Sequence, residues 1–133
     1  MGNEEMSKLF TEWNKGDLNS FLIEITATIL AKKDDLNDEG YVVDKILDKT
    51  GMKGTGRWTV QEAAEQNVAA PLIAASLDAR YMSGRKDERV NASKILEGPN
   101  KDAMPNVDKD QLIADLQSAL YCAKVASYAQ GLG

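Results

Sequence analysis

The chain has 133 residues, 43% of them hydrophobic and 28% charged, which suits one compact domain with a sizeable buried core. Its net charge of −5 argues against a general nucleic-acid binder, which carries a basic face. The absence of histidine excludes a His general base, a Ser-His-Asp triad and a His-ligated metal. The single cysteine, Cys122, excludes an internal disulfide and a Cys-rich zinc site; its setting, Leu120-Tyr121-Cys122-Ala123, reads as a small buried residue.

The hydrophobic period is helical nearly throughout, with no convincing period-2 alternation. Met6, Leu9, Phe10 and Trp13 line one face of a first helix that Gly16 ends. Asp17 stands where an N-cap belongs, and Leu18, Phe21, Leu22, Ile25 and Ile29 continue at helical spacing. Ile23, Ala27 and Leu30 make this second helix apolar nearly all round, as expected of a helix central to a bundle.

Lys32 to Gly40 is polar and reads as a solvated loop. Tyr41 to Thr50 is expected to form a third helix, with Val42, Val43, Ile46 and Leu47 inward and Gly51 as its stop. Lys53-Gly54-Thr55-Gly56 is expected to be a tight non-helical loop. Thr59 and Glu62 form a T-x-x-E capping box that opens the next helix.

Pro71 suits the first turn of a helix running through Ile73 and Leu77 to about Met82. Gly84 punctuates it, and helix resumes from Arg85 to Leu96. Arg85, Lys86 and Arg89 stand beside Asp87 and Glu88 and read as a salt-bridged helix surface. Asn100 to Val107 is a loop, Asp108 with Gln111 resembles a second capping box, and a final helix carries Leu112, Leu116, Leu120 and Ala123 to about Gly131. The expected fold class is therefore all-α, a bundle of about six or seven helices. No stretch reaches the ~20 apolar residues of a membrane span, and Met1-Gly2-Asn3-Glu4-Glu5 has no signal-peptide character. The expectation is a soluble, intracellular protein.

Gly51 to Thr59 is the stretch richest in chemistry. Its glycines let backbone N–H groups approach a ligand, and Lys53, Thr55 and Arg57 add donors. The start of the following helix contributes unpaired amides and the positive end of a dipole, so a phosphate or carboxylate would suit it. Gly51 and Gly56 have the spacing of a nucleotide P-loop. Arg57 and Trp58, however, replace its Lys and hydroxyl, and no hydrophobic strand precedes it. An ordinary turn with solvated basic residues is the competing reading.

Several segments in order resemble the 6-phosphogluconate dehydrogenases. They are Trp13-Asn14-Lys15-Gly16-Asp17-Leu18-Asn19-Ser20-Phe21-Leu22-Ile23-Glu24-Ile25-Thr26, Val43-Asp44-Lys45-Ile46-Leu47-Asp48, the Lys53-Gly54-Thr55-Gly56 loop, Asp78-Ala79-Arg80-Tyr81, Lys86-Asp87-Glu88-Arg89, and Ala119-Leu120-Tyr121 through Tyr128-Ala129-Gln130-Gly131. The wording, including Val68-Ala69-Ala70-Pro71, looks nearest to plant and algal members. The resemblance implies NADP-dependent oxidative decarboxylation of 6-phosphogluconate to ribulose 5-phosphate, without a metal.

By that resemblance residues 1–133 are expected to be the front part of the helical C-terminal domain, which binds substrate and forms a homodimer. The catalytic Lys and Glu and the N-terminal Rossmann domain that holds NADP are expected to lie ahead of it. Lys53 and Arg80 match the family's ligands for the substrate phosphate, with Thr55 adding a hydroxyl. Arg57, where the family commonly has Lys, is left outside the site. The family's site also borrows an Arg and a His from its partner's tail, which these residues do not include. No nucleic acid or membrane partner is expected, and the compartment implied is the cytoplasm, or a plastid in a plant or alga. The alternative is a helical association module without catalysis.

Overall fold

The computed structural model describes residues 1–36, 39–98 and 107–132. Its described residues form six α-helices and one short 3-10 turn: α1 (Asn3–Trp13), α2 (Phe21–Ala31), the turn Val42–Lys45, α3 (Thr55–Glu65), α4 (Pro71–Gly84), α5 (Lys86–Ala92) and α6 (Lys109–Leu132). The fold is all-α, and the one β-like feature among the described residues is an isolated antiparallel bridge between Lys33 and Tyr41. No described helix is long and apolar enough to cross a membrane. The expected loop at Asn100–Val107 lies, up to residue 106, outside the described residues. The chain divides into two compact units, Met1–Leu47 with Gln117–Tyr121, and Asp48–Leu116 with Cys122–Gly133.

In the first unit α1 packs on α2. Glu4 and Glu5 occupy the first turn of α1, where carboxylates favour the positive end of the helix dipole. Its apolar face ends at Trp13, which is buried and sits edge-tilted against Phe10 at 5.1 Å. Helix α2 begins at Phe21, three residues later than expected, because Ser20 and not Asp17 is the N-cap: its Oγ accepts from Ile23 N at 3.2 Å. Leu18 is thereby released from the helix and tucked into the core at 2% exposure, worth roughly 1.5–3 kcal/mol of burial. Ser7 Oγ donates to the Ala27 carbonyl at 2.7 Å, and so α1 approaches α2 at its buried residue. The outer residues Phe21, Leu22 and Ile29 stay exposed.

The expected helix over Tyr41–Thr50 does not form. Only Val42–Lys45 coils, and Ile46 returns to extended backbone at φ −72, ψ 139. Two commitments, one of the backbone and one of a side chain, explain this. Tyr41 is bridged to Lys33, and Lys45 Nζ is taken by the buried Asp34 carboxylate and by the Glu39 carbonyl, 2.7 Å away. These tertiary bonds outweigh the weak helical preference of a Val-Val pair.

In the second unit α3 packs on α4. The interface is close because Gly56 faces Leu77, whose Cδ1 would lie 3.5 Å from a Cβ at position 56. Pro71 occupies the first turn of α4 as expected, and Gly84 ends it. The N-cap of α4, Ala70, offers no side chain to its amides. That deficit is met from α6: Gln130 Oε1 accepts from Leu72 N at 2.9 Å and from Ile73 N at 3.3 Å. Asp108 Oδ1 accepts from Asp110 N and Gln111 N, as the capping pattern implies, while the Gln111 side chain turns forward to Asp115. Cys122, expected to be buried, is exposed.

Candidate functional site

Helix α3 starts four residues before the Thr59–Glu62 box. Its N-cap is Gly54, at φ +108, ψ −29, with no side-chain cap, and Thr59 Oγ1 donates back to the Thr55 carbonyl at 2.9 Å instead of capping. Gly54 suits this place for two reasons. Its positive φ is open to glycine without strain, and a Cβ would meet the Trp58 indole at 3.2 Å. Gly54-Thr55-Gly56 is therefore the opening of a helix and not a separate loop. Its first-turn amides have no intrahelical partner, and the dipole end beside them favours an anion.

Lys53 immediately precedes this cap, is exposed, and makes no side-chain hydrogen bond or ion pair among the described residues. Thr55 is the first helical residue and is also exposed. Arg57 lies on the same exposed first turn. Arg80, on α4, is brought to the loop: its guanidinium donates to the Gly51 carbonyl. Two residues of extended chain span at most about 7 Å, so the loop atom that Arg80 touches lies within one phosphate's width or two of the Lys53 backbone. A guanidinium has five N–H donors, and this contact occupies one.

The segment leading into the loop is held by more residues than sequence reasoning named. Thr50 N donates to Ser83 Oγ at 3.1 Å, and Thr50 Oγ1 donates to the Arg80 carbonyl at 3.4 Å. Arg89 reaches back to Asp48, pairing with its carboxylate at 3.0 Å and its carbonyl at 2.8 Å. Arg85 does pair locally with Glu88, at 3.5 Å. Arg89 instead finds a partner 41 residues away, which no local charge pattern could reveal.

A family model described as the C-terminal domain of 6-phosphogluconate dehydrogenase matches residues 1–133. The chain belongs to the 6-phosphogluconate dehydrogenase family. It is 61% identical over 137 residues to the chloroplastic decarboxylating 6-phosphogluconate dehydrogenase 3 of Arabidopsis thaliana, covering 99% of this chain and 28% of that protein. A relative from Lactococcus lactis subsp. cremoris, a decarboxylating 6-phosphogluconate dehydrogenase, is 53% identical over 131 residues, covering 98% of this chain and 27% of that one. Among solved structures, Plasmodium falciparum 6-phosphogluconate dehydrogenase superposes with a TM-score of 0.89 at 49% identity, over 99% of this chain and 28% of its own. That enzyme was solved in its apo form, with its cofactor NADP+ and with its substrate 6-phosphogluconate. The chain thus spans a little over a quarter of the length of the dehydrogenases it matches.

Proposed function

We propose that this chain is the phosphate-binding part of an NADP-dependent dehydrogenase that converts 6-phosphogluconate to ribulose 5-phosphate and carbon dioxide. The observation that carries the reading is the meeting of Arg80 with the loop that presents Lys53 at the uncapped, glycine-started N-terminus of α3. A phosphate monoester bears nearly two negative charges near neutrality. Lys53 supplies a point charge, the remaining Arg80 donors a planar fork, and Thr55 a hydroxyl.

NADP accepts the hydride in this chemistry. No glycine-rich dinucleotide fingerprint occurs in these 133 residues, so they are given no part in holding it. Their contribution is orientation. Fixing the phosphate end of an open-chain sugar acid sets where its carbons fall, and such anchoring binding energy lowers the barrier at the distant reacting centre.

Arg80→Ala in the full-length dehydrogenase bearing this segment tests the reading. The expected result is a KM for 6-phosphogluconate raised ten- to a hundred-fold, in line with the loss of charged hydrogen bonds worth about 1.5–3 kcal/mol, with the KM for NADP nearly unchanged. An unaltered KM for 6-phosphogluconate would refute it.

A second role is favoured by Phe21, Leu22 and Ile29, apolar side chains left exposed on α2. They support association with a second copy, as in a homodimer.

A further inference from the structure

We infer that Arg89 is a positioning residue for the phosphate site: it holds residues 48–51 in the course that delivers Lys53 to the cap of α3. The inference rests on the proposed phosphate-binding role of Lys53 and Arg80, and concerns a residue outside that pair.

The segment before Lys53 has no regular secondary structure from Ile46 onward until α3 begins. An irregular segment with exposed side chains is free to wander unless something ties it down. Here the ties fall at Asp48, Thr50 and Gly51, and all lead to the same place, the end of α4 and the start of α5. Arg89 grips Asp48 through carboxylate and carbonyl. Ser83 accepts from Thr50 N, and the Arg80 carbonyl accepts from Thr50 Oγ1. The Arg80 guanidinium takes the Gly51 carbonyl.

Arg89 is the member that joins both sides. Its Nη2 also donates to the Ser83 carbonyl at 3.1 Å, so one guanidinium ties the incoming segment to the last turn of the helix that carries Arg80. Its Nε is buried without a hydrogen-bond partner among the described residues. All three bonds come from the two Nη atoms. The forked geometry matters, because its donors sit on two nitrogens held in one plane, whereas an ammonium offers its three from a single point on a flexible stem. Loss of the fork would let the Lys53 loop drift relative to Arg80. Misplacement by about 1 Å is enough to weaken a two-point grip on an anion severely.

The experiment compares Arg89→Lys and Arg89→Ala with Arg80→Ala in the full-length dehydrogenase bearing this segment. It measures KM for 6-phosphogluconate, KM for NADP, and competitive inhibition by inorganic phosphate. The expected result is that both Arg89 variants raise the KM for 6-phosphogluconate on the order of tenfold and weaken phosphate inhibition in parallel, with the KM for NADP within about twofold of the parent. If Arg89→Ala fails to fold, Arg89→Lys decides alone.

A normal KM in Arg89→Lys, with Arg80→Ala impaired, would mean that positive charge suffices, and the positioning role falls while the phosphate site stands. Equal loss of affinity for NADP and 6-phosphogluconate would mean general damage to the fold, and overturns it too. A normal KM in Arg80→Ala would remove the phosphate site itself, and the role of Arg89 with it.

Discussion

The indole of Trp58 lies against Gly54, so near that a methyl group on the glycine would come within 3.2 Å of Cζ2 and 3.4 Å of Cε2. The tryptophan is on the first turn of α3 and its backbone N–H donates to the Gly54 carbonyl at 2.9 Å. One residue thus sets both the hydrogen bond that opens the helix and the space that excludes a side chain at its cap.

Gly54→Ala is therefore expected to lose stability by about 1–3 kcal/mol, from a strained positive φ and from displacement of the indole. Urea unfolding followed by Trp fluorescence measures it. Gly56→Ala serves as the contrast, since its Cβ would make ordinary contact with Leu77 at 3.5 Å; a loss at position 54 no greater than at 56 would contradict the account.

Gln130→Ala should expose the Leu72 and Ile73 amides, with a loss of about 1 kcal/mol, as for other caps. Hydrogen exchange at those two amides should accelerate more than elsewhere in α4. Gln130→Glu should keep the fold and gain slightly, because a carboxylate at this helix start meets the favourable end of the dipole. A destabilised Glu variant would show that the amide NH2 of Gln130 matters more than its oxygen.

Glu4, Tyr41 and Lys33 form an exposed cluster: Tyr41 Oη donates to Glu4 Oε1 at 2.8 Å, Lys33 Nζ donates to Tyr41 Oη at 2.6 Å, and Lys33 pairs with Glu4 at 3.0 Å. The Tyr41 hydrogen bond, aided by Lys33, holds the Glu4 carboxyl below its ordinary range, and hydrogen bonds to Tyr41 and Glu4 hold Lys33 above its own. The Glu4 contribution is complete above the unfolded carboxyl's range and is lost as pH falls through the lowered folded value. The Lys33 contribution is complete below the unfolded amine's range and is lost as pH rises through the raised one. An NMR titration of the Glu4 carboxyl should give a midpoint that rises in Tyr41→Phe; coincident curves would show that the hydrogen bond does not hold in solution.

The 133-residue chain on its own is expected to produce no NADPH from 6-phosphogluconate, because the residues that carry out redox and proton transfer are proposed to lie outside it. Sedimentation at several concentrations should show association, given exposed Phe21 and Leu22. Turnover by the purified chain would contradict the first expectation, and a strict monomer at all concentrations the second.

The all-helical class and most helix positions were legible in the sequence, since 3–4 spacing of Met6, Leu9, Phe10 and Trp13, Pro71 at a helix start, and Asp108 as a cap are local signals. Three of the misplacements share a cause. Val42, Val43, Ile46 and Leu47 have helical spacing, yet Lys45 is claimed by Asp34 and the Glu39 carbonyl. Asp17 is a good cap by type, but capping there would hold Leu18 out of the core. Thr59 with Glu62 fits a capping box, but the helix opens earlier, at Gly54, where Trp58 folds back on the cap and Leu77 packs against Gly56. Each choice was decided by a contact distant in sequence or by burial. The same holds at the candidate site: Lys53 and Thr55 announce themselves in a glycine-rich loop, whereas the ties from Ser83 and Arg89 become visible only when α4 and α5 are folded back beside it.

The hydrogen bond from Leu72 to Gln130 spans 58 residues, and this separation bears on how the chain is made. Gln130 must be synthesised before the first turn of α4 can be closed. Until then that turn depends on water and on Pro71 for its order. Arg80, further along the same helix, sits on a scaffold whose first turn waits for Gln130. Closing so long a loop is slow relative to forming any single helix. The candidate site on α3 and α4 is therefore expected to mature after the α1–α2 pair, whose partners lie closer together in sequence.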